Sequence, residues 1–146
     1  MSQSTPDPLH RLPKSRIAAI LWLVTAAYWV AIFIATHVPM QSNWTLAKLS
    51  NRFDKVEHVA SFAGLSLLLC VTGTMLDKRS ALVASVLGVI VLYAGFDEAT
   101  QYFIPTRHAD WLDWIADLLG GGIGVTTFLL IGEPLLMVTG WRAEGA

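Results

Sequence analysis

Two short stretches of this chain gather residues able to do chemistry. One holds Asp54, Lys55, Glu57 and His58; the other holds Asp97, Glu98, Gln101, Arg107, His108, Asp110, Asp113 and Asp117. Carboxylates beside an imidazole can bind a divalent cation or work as general acid and base. Asp54 and His58 are four residues apart, so on a helix they share a face, and Ser61 continues it. There the carboxylate would orient the ring as a proton carrier or metal ligand. The plainer alternative has Asp54 capping a helix start, with His58 simply sitting at an interface. Asp97 and Gln101 have the same spacing, with Glu98 turned ~100° away. Carboxylates near a helix C-terminus oppose the dipole, so Asp97 and Glu98 point to function or to a compensating cation, Arg107 or Lys55. Arg107 offers a planar fork suited to phosphate or carboxylate; snorkelling to lipid phosphates is its plainer role.

The elements that carry these residues are strongly apolar. The 146-residue chain is 54% hydrophobic and 14% charged, with a mean hydropathy of +0.54. A soluble domain normally carries about 25% charged residues, so a membrane is the expected solvent. The net charge of −1 gives no basic balance for nucleic acid. Cys70 is the single cysteine, which excludes an intramolecular disulfide and any Cys-based metal motif. No nucleophile elbow, phosphate-binding glycine loop or HExxH zinc motif occurs.

Four spans are expected, at about 17–38, 56–76, 81–104 and 111–131. The first is free of Lys, Arg, Asp and Glu, and about 22 helical residues reach ~33 Å, enough for a bilayer core. It is too long for a signal-peptide core and reads as an uncleaved anchor. Residues 1–16, with three prolines and three cations, read as a disordered cytoplasmic tail, and 133–146 as a cytoplasmic C-terminal tail. The expected fold is all-α, an antiparallel bundle of four transmembrane helices. Arg11, Lys14 and Arg16 before the first span, with Lys78, Arg79 and Arg142, place both termini in the cytoplasm. Trp22 and Trp141 would mark the inner interface, and Trp44, Tyr102, Trp111 and Trp114 the outer one.

That topology brings the polar ends of spans two, three and four to the outer face. Asp54, Glu57, Asp97, Glu98, Asp110, Asp113 and Asp117 then converge, out of 11 carboxylates in the chain. Asp117 lies ~9 Å deeper along its helix than Trp111, where a carboxylate needs a partner, a cation or a proton. His37, ending the first span, either joins this cluster or marks the interface. Asp110, Asp113, Asp117, Gly120, Gly121 and Gly124 share one stripe of the fourth span, whose glycines suit close helix packing.

The string Asp54-Lys55-x-x-His58, Asp97-Glu98-x-x-Gln101-x-Phe103-x-Pro105-x-Arg107, then Asp113 with Gly120 and Gly124, resembles the VanZ-like family of small bacterial integral membrane proteins. The likeness covers roughly residues 17 to 132. Two positions depart from it: Asp117 stands where the family usually has Asn, and Thr106 where it usually has Gly. The resemblance implies a multi-pass protein of the bacterial cytoplasmic membrane, from a family named for a member linked to resistance to teicoplanin.

The expected function is engagement of a cell-envelope lipid or lipid-linked precursor at an outward-facing polar site. Asp54, His58, Asp97, Glu98, Gln101 and Asp113 are the acid/base candidates, and Arg107 and Lys55 would hold an anionic group. A divalent cation is the one cofactor suggested, with ligands among Asp54, His58, Asp97, Asp113 and Asp117. One rival is an intramembrane enzyme acting on lipid-linked substrates. Another is an accessory protein whose polar cluster only locks helices together. A transmembrane proton path is a weaker rival, because the inner halves of the spans offer only scattered threonines and serines.

Overall fold

The computed structural model describes residues 13–38, 44–76, 81–105 and 110–138, with 44–53 described by their backbone alone. These residues form helices and no strands. Helix α1 spans Lys14–His37, α2 Trp44–Gly73, α3 Leu82–Gln101 and α4 Trp111–Thr127. α4 continues through π-helical turns at Phe128–Gly132 into a last short helix, α5, Glu133–Val138. Four stretches are long and apolar enough to cross a membrane: Lys14–His37, Asp54–Gly73, Leu82–Gln101 and Trp111–Val138. The all-α, four-span architecture expected from the sequence is the one the chain adopts.

α1 and α2 begin ahead of their apolar runs and the fourth stretch continues past its own, while α3 stops short of residue 104. α2 begins at Trp44, well ahead of the apolar run that opens near Val56. Asp54 therefore lies inside a helix, and the account in which it caps a helix start falls away. α1 begins at Lys14, so Lys14, Ser15 and Arg16 are helical. Beyond Thr127 the Glu133 N–H bonds the Phe128 carbonyl, five residues back. Pro134 follows directly. In an unbroken α-helix its ring would meet the carbonyl of Leu130, and a wider π turn relieves that clash. Residues 1–12, 77–80, 106–109 and 139–146 lie outside the described residues, and with them Arg11, Lys78, Arg79, Trp141 and Arg142.

Side-chain contacts fix the direction of each helix. Thr25 on α1 hydrogen-bonds Thr72 on α2 at 2.8 Å, while Thr36 and Asp54 line one cavity, so the two helices are antiparallel. α3 and α4 are antiparallel as well: Ile90 packs on Gly121, and Gly95 faces Trp114. α1 runs parallel to α3, with Trp29 edge-on to Tyr93 at 5.0 Å and Phe33 stacked over Phe96 at 6.3 Å. α2 runs parallel to α4 and touches it most closely. The core between them holds Phe62, Leu65, Ile90, Tyr93, Val125 and Phe128, with Phe62 stacked on Tyr93 at 5.4 Å. The outside is apolar too: Leu92 is 76% exposed and Leu130 72%. Such a surface is at home against acyl chains, where every backbone polar group is satisfied within a helix.

Glycine sets the α2–α4 distance. A Cβ on Gly120 would overlap the Val59 backbone, and one on Gly124 would overlap the Ala63 backbone and the Ser66 hydroxyl. Backbone cannot move aside as a flexible side chain can, so small residues are required here. Gly121, placed on the same stripe by sequence, instead faces Ile90 of α3. Gly88 and Gly122 meet nothing. Gly120→Ala and Gly124→Ala should each destabilise the protein by about 1–3 kcal/mol through overpacking. Gly88→Ala and Gly122→Ala should be neutral or slightly stabilising. Unfolding midpoints in detergent check this, and equal midpoints for the two classes would remove the close-packing account.

Candidate functional site

One end of the bundle collects the C-terminal turns of α1 and α3, residues 54–61 of α2 and the first turns of α4. The direction of the four helices brings them there, and their polar side chains meet in two linked networks.

The first is centred on Asp97, which is 0% exposed. Its carboxylate accepts from the Thr36 hydroxyl of α1 at 2.9 Å and from the Gln101 amide one turn on at 2.8 Å. The Tyr93 hydroxyl stands 3.5 Å away, and the His37 ring lies 3.8 Å from the same carboxylate. His37 Nδ1 is 2.8 Å from the Phe33 carbonyl, and Nε2 is 2.9 Å from the Thr100 hydroxyl. A carbonyl only accepts, so Nδ1 carries a proton. Asp97 and Gln101 thus share a face as their spacing predicts, and His37 joins the cluster instead of merely marking its edge. Sequence reasoning missed Thr36, Tyr93 and Thr100. Tyr93 lies one turn before Asp97, and Thr36 interrupts an apolar run, which were the signals available.

The second network joins α2 to α4. His58, 3% exposed, places Nδ1 2.8 Å from Asp117 Oδ1. Lys55 donates to Asp113 at 2.6 Å and to Asp110 at 2.9 Å. Asp110 caps α4 by accepting from the Leu112 N–H at 2.9 Å. That N–H, and then the Lys55 ammonium, hold the Asp110 carboxyl below the usual carboxylate range. The Asp110 N–H in turn donates to Glu98 of α3. Lys55 therefore rests in ion pairs with two of the chain's own carboxylates.

Two buried side-chain oxygens among the described residues find no hydrogen-bond partner: Glu98 Oε2 and Asp117 Oδ2. Such orphans are rare and costly in an interior. Asp54, half-buried, sits one turn before His58. One ligand-capable atom from each of Asp54, His58 and Asp113 lies within 4.8 Å of the others. A small cavity of about 20 Å³ opens beside them, lined by Ala35, Thr36, Asp54, Glu57, His58 and Ser61. Asp97 and Asp117, also weighed as metal ligands from sequence, stand outside this trio, Asp117 behind His58 and Asp97 in its own network. Arg107 and His108 lie outside the described residues.

On the far side of Glu98 a wide groove of about 500 Å³ runs between α3 and α4, lined by Gly95, Glu98, Ala99, Trp111 and Trp114. Tyr102, Phe103 and Trp111 are all more than two-thirds exposed at this end. Aromatic rings gathered at one depth are characteristic of a membrane–water interface.

The His58–Asp117 pair should be asymmetric under mutation. His58→Ala strands a buried carboxylate and should destabilise the protein by about 3–5 kcal/mol. Asp117→Asn keeps an acceptor for the imidazole and removes a buried charge, so its stability should equal or exceed that of the parent. Denaturant titrations in detergent would show the difference. A His58→Ala variant as stable as Asp117→Asn would mean that the pair carries no energetic weight.

A family model described as VanZ/LLP1 matches residues 12–132. No match emerges among curated proteins or solved structures. The matched region takes in all four membrane-spanning stretches but the last few residues of the fourth, together with both polar networks. The chain is thus a multi-pass, VanZ-like membrane protein and belongs to the VanZ/LLP1 family.

Proposed function

We propose that this protein engages a cell-envelope lipid, or a lipid-linked precursor, at the polar end of its bundle. The observation that carries the reading is the groove between α3 and α4. Its Gly95, Ala99, Trp111 and Trp114 walls are apolar, its volume of about 500 Å³ is ligand-sized, and it leads to the Glu98 carboxylate. A lipid tail lying along the groove would bring its head group to the polar networks, where Asp54, His58, Asp97, Glu98, Gln101 and Asp113 could act as acid, base or hydrogen-bond partners. Arg107 would grip an anionic group. Lys55 would do so only by exchanging its bonds to Asp110 and Asp113. Arg11, Lys14 and Arg16, before and in the first turn of α1, favour cytoplasmic termini, which would put the polar end on the outer side of a bacterial cytoplasmic membrane.

A purely structural lock has its own support in the inter-helix bonds Thr36–Asp97, His58–Asp117 and Lys55–Asp113. The two readings separate at Gly95, which lines the groove but takes part in none of those bonds. Native mass spectrometry of detergent-purified protein, offered phosphatidylglycerol, cardiolipin, phosphatidylethanolamine and a polyprenyl phosphate, should show retained lipid. Gly95→Phe should cut that retention at least several-fold while leaving the unfolding midpoint unchanged. Equal retention by the variant, or none by the parent, would leave only the lock. Orientation has a separate check. Reporter fusions after Lys78 and Arg142 should read as cytoplasmic, and one at Thr106 as external; a cytoplasmic Thr106 would overturn the outward-facing assignment.

A further inference from the structure

We infer that Asp54, His58 and Asp113 form a binding site for one divalent transition-metal ion, with Asp117 positioning the imidazole. Ion binding does not require lipid engagement, although it uses three of the side chains proposed there to meet the head group. Their candidate ligand atoms all lie within 4.8 Å of one another. Ligands at roughly 2.0–2.2 Å from an ion stand about 3–4 Å apart, so small side-chain adjustments would close the set. Three protein ligands leave a coordination position for water or substrate. Asp54 and His58 line the adjoining cavity, whose volume of about 20 Å³ admits about one water beside an ion.

Three further features point the same way. Asp117 Oδ1 occupies His58 Nδ1 at 2.8 Å, leaving Nε2 as the ring nitrogen free to ligate. A carboxylate behind a metal-binding histidine fixes its tautomer and raises its basicity. Asp117 is 0% exposed, and its Oδ2 is one of the two orphaned buried oxygens. A cation on His58 would add to the single partner that this half-satisfied carboxylate has. Finally, the described side chains at this end include seven carboxylates, those of Asp54, Glu57, Asp97, Glu98, Asp110, Asp113 and Asp117, against one lysine, Lys55. Lys55 takes one oxygen of Asp113 and leaves the other for an ion. One nitrogen and two oxygen donors suit Mn2+ or Zn2+ better than Ca2+ or Mg2+, which favour all-oxygen shells.

The test uses the full chain, purified in detergent, stripped with EDTA and titrated with Mn2+ and Zn2+ by calorimetry. One ion per chain is expected, held at least tenfold more tightly than Mg2+. Asp54→Asn should weaken binding at least tenfold. Among the described residues Asp54 makes no inter-helix hydrogen bond, so this change should leave the fold intact. Glu57→Gln, which lines the same cavity without belonging to the trio, should bind within twofold of the parent. Pulsed EPR of the parent loaded with Mn2+ should show a histidine-nitrogen coupling, a readout that needs no variant. The site is overturned by no binding at millimolar metal, by equal losses in Asp54→Asn and Glu57→Gln, or by a Mn2+ spectrum lacking the nitrogen coupling.

Discussion

The polar end of this bundle depends on how closely α2 lies against α4. In a bilayer no hydrophobic force drives helices together, because acyl chains are as apolar as leucine. Contact must come from close packing and hydrogen bonds. Gly120 and Gly124 admit the backbone of Val59 and Ala63 at a distance that no Cβ would tolerate. On the polar side of that contact His58, the residue before Val59, lies beside Asp117, and about one turn further Lys55 lies beside Asp113. Because α2 and α4 run parallel, each step along one helix is matched by a step along the other. The glycine contact therefore fixes the register of every polar pair between them.

That register places charge where charge is expensive. Asp97 and Asp117 are both fully buried, and they are stabilised by different means. Asp97 is solvated by the protein itself, through Thr36, Gln101 and the Tyr93 hydroxyl. It recruits α1, the helix that otherwise contributes least to the core. Asp117 has a single partner, His58, and an orphaned second oxygen. A site evolved only to hold helices together would be expected to satisfy both carboxylates, since a half-satisfied buried network is worse than an apolar one. Among the described residues the incompleteness lies at Asp117 and Glu98, on the side where α2, α3 and α4 meet.

Much of this was legible in the sequence. Four apolar runs gave four spans, and the i, i+4 spacings of Asp54 with His58 and Asp97 with Gln101 correctly placed each pair on one face. The alternation of short loops then brought the polar ends together. Helix limits were harder to read, because hydropathy registers contact with lipid and not backbone hydrogen bonding. The polar turns of α2 before Val56 are invisible to it, and so Asp54 could be taken for a cap. The stripe on α4 was coarser than the structure: Gly121 lies one residue, or ~100°, from Gly120 and so meets a different helix. Thr36 escaped notice because nothing in its own neighbourhood signals a buried aspartate on α3; its role exists only once α1 and α3 are set parallel. Tyr93, one turn before Asp97 on the same helix, was legible from spacing alone.

The sign of the charge at this end constrains what can bind there. An anionic head group arriving at the described side chains would meet carboxylates, with the one lysine already bridged between Asp110 and Asp113. Lys55 is 45% exposed, so its field is partly screened by solvent. If the lipid and ion proposals both hold, they are thermodynamically linked. A divalent ion on Asp54, His58 and Asp113 would turn a repulsive surface into an attractive one and offer its open position to a phosphate oxygen. Reciprocally, the bound phosphate would hold the ion more tightly, by the same factor. Arg107 could add a second positive contact, without removing the need to offset the buried negative charge of Asp97 and Asp117. On this view the unsatisfied oxygens of Glu98 and Asp117 are not defects of packing. They are the part of the site's electrostatics that is completed only when a cation is present.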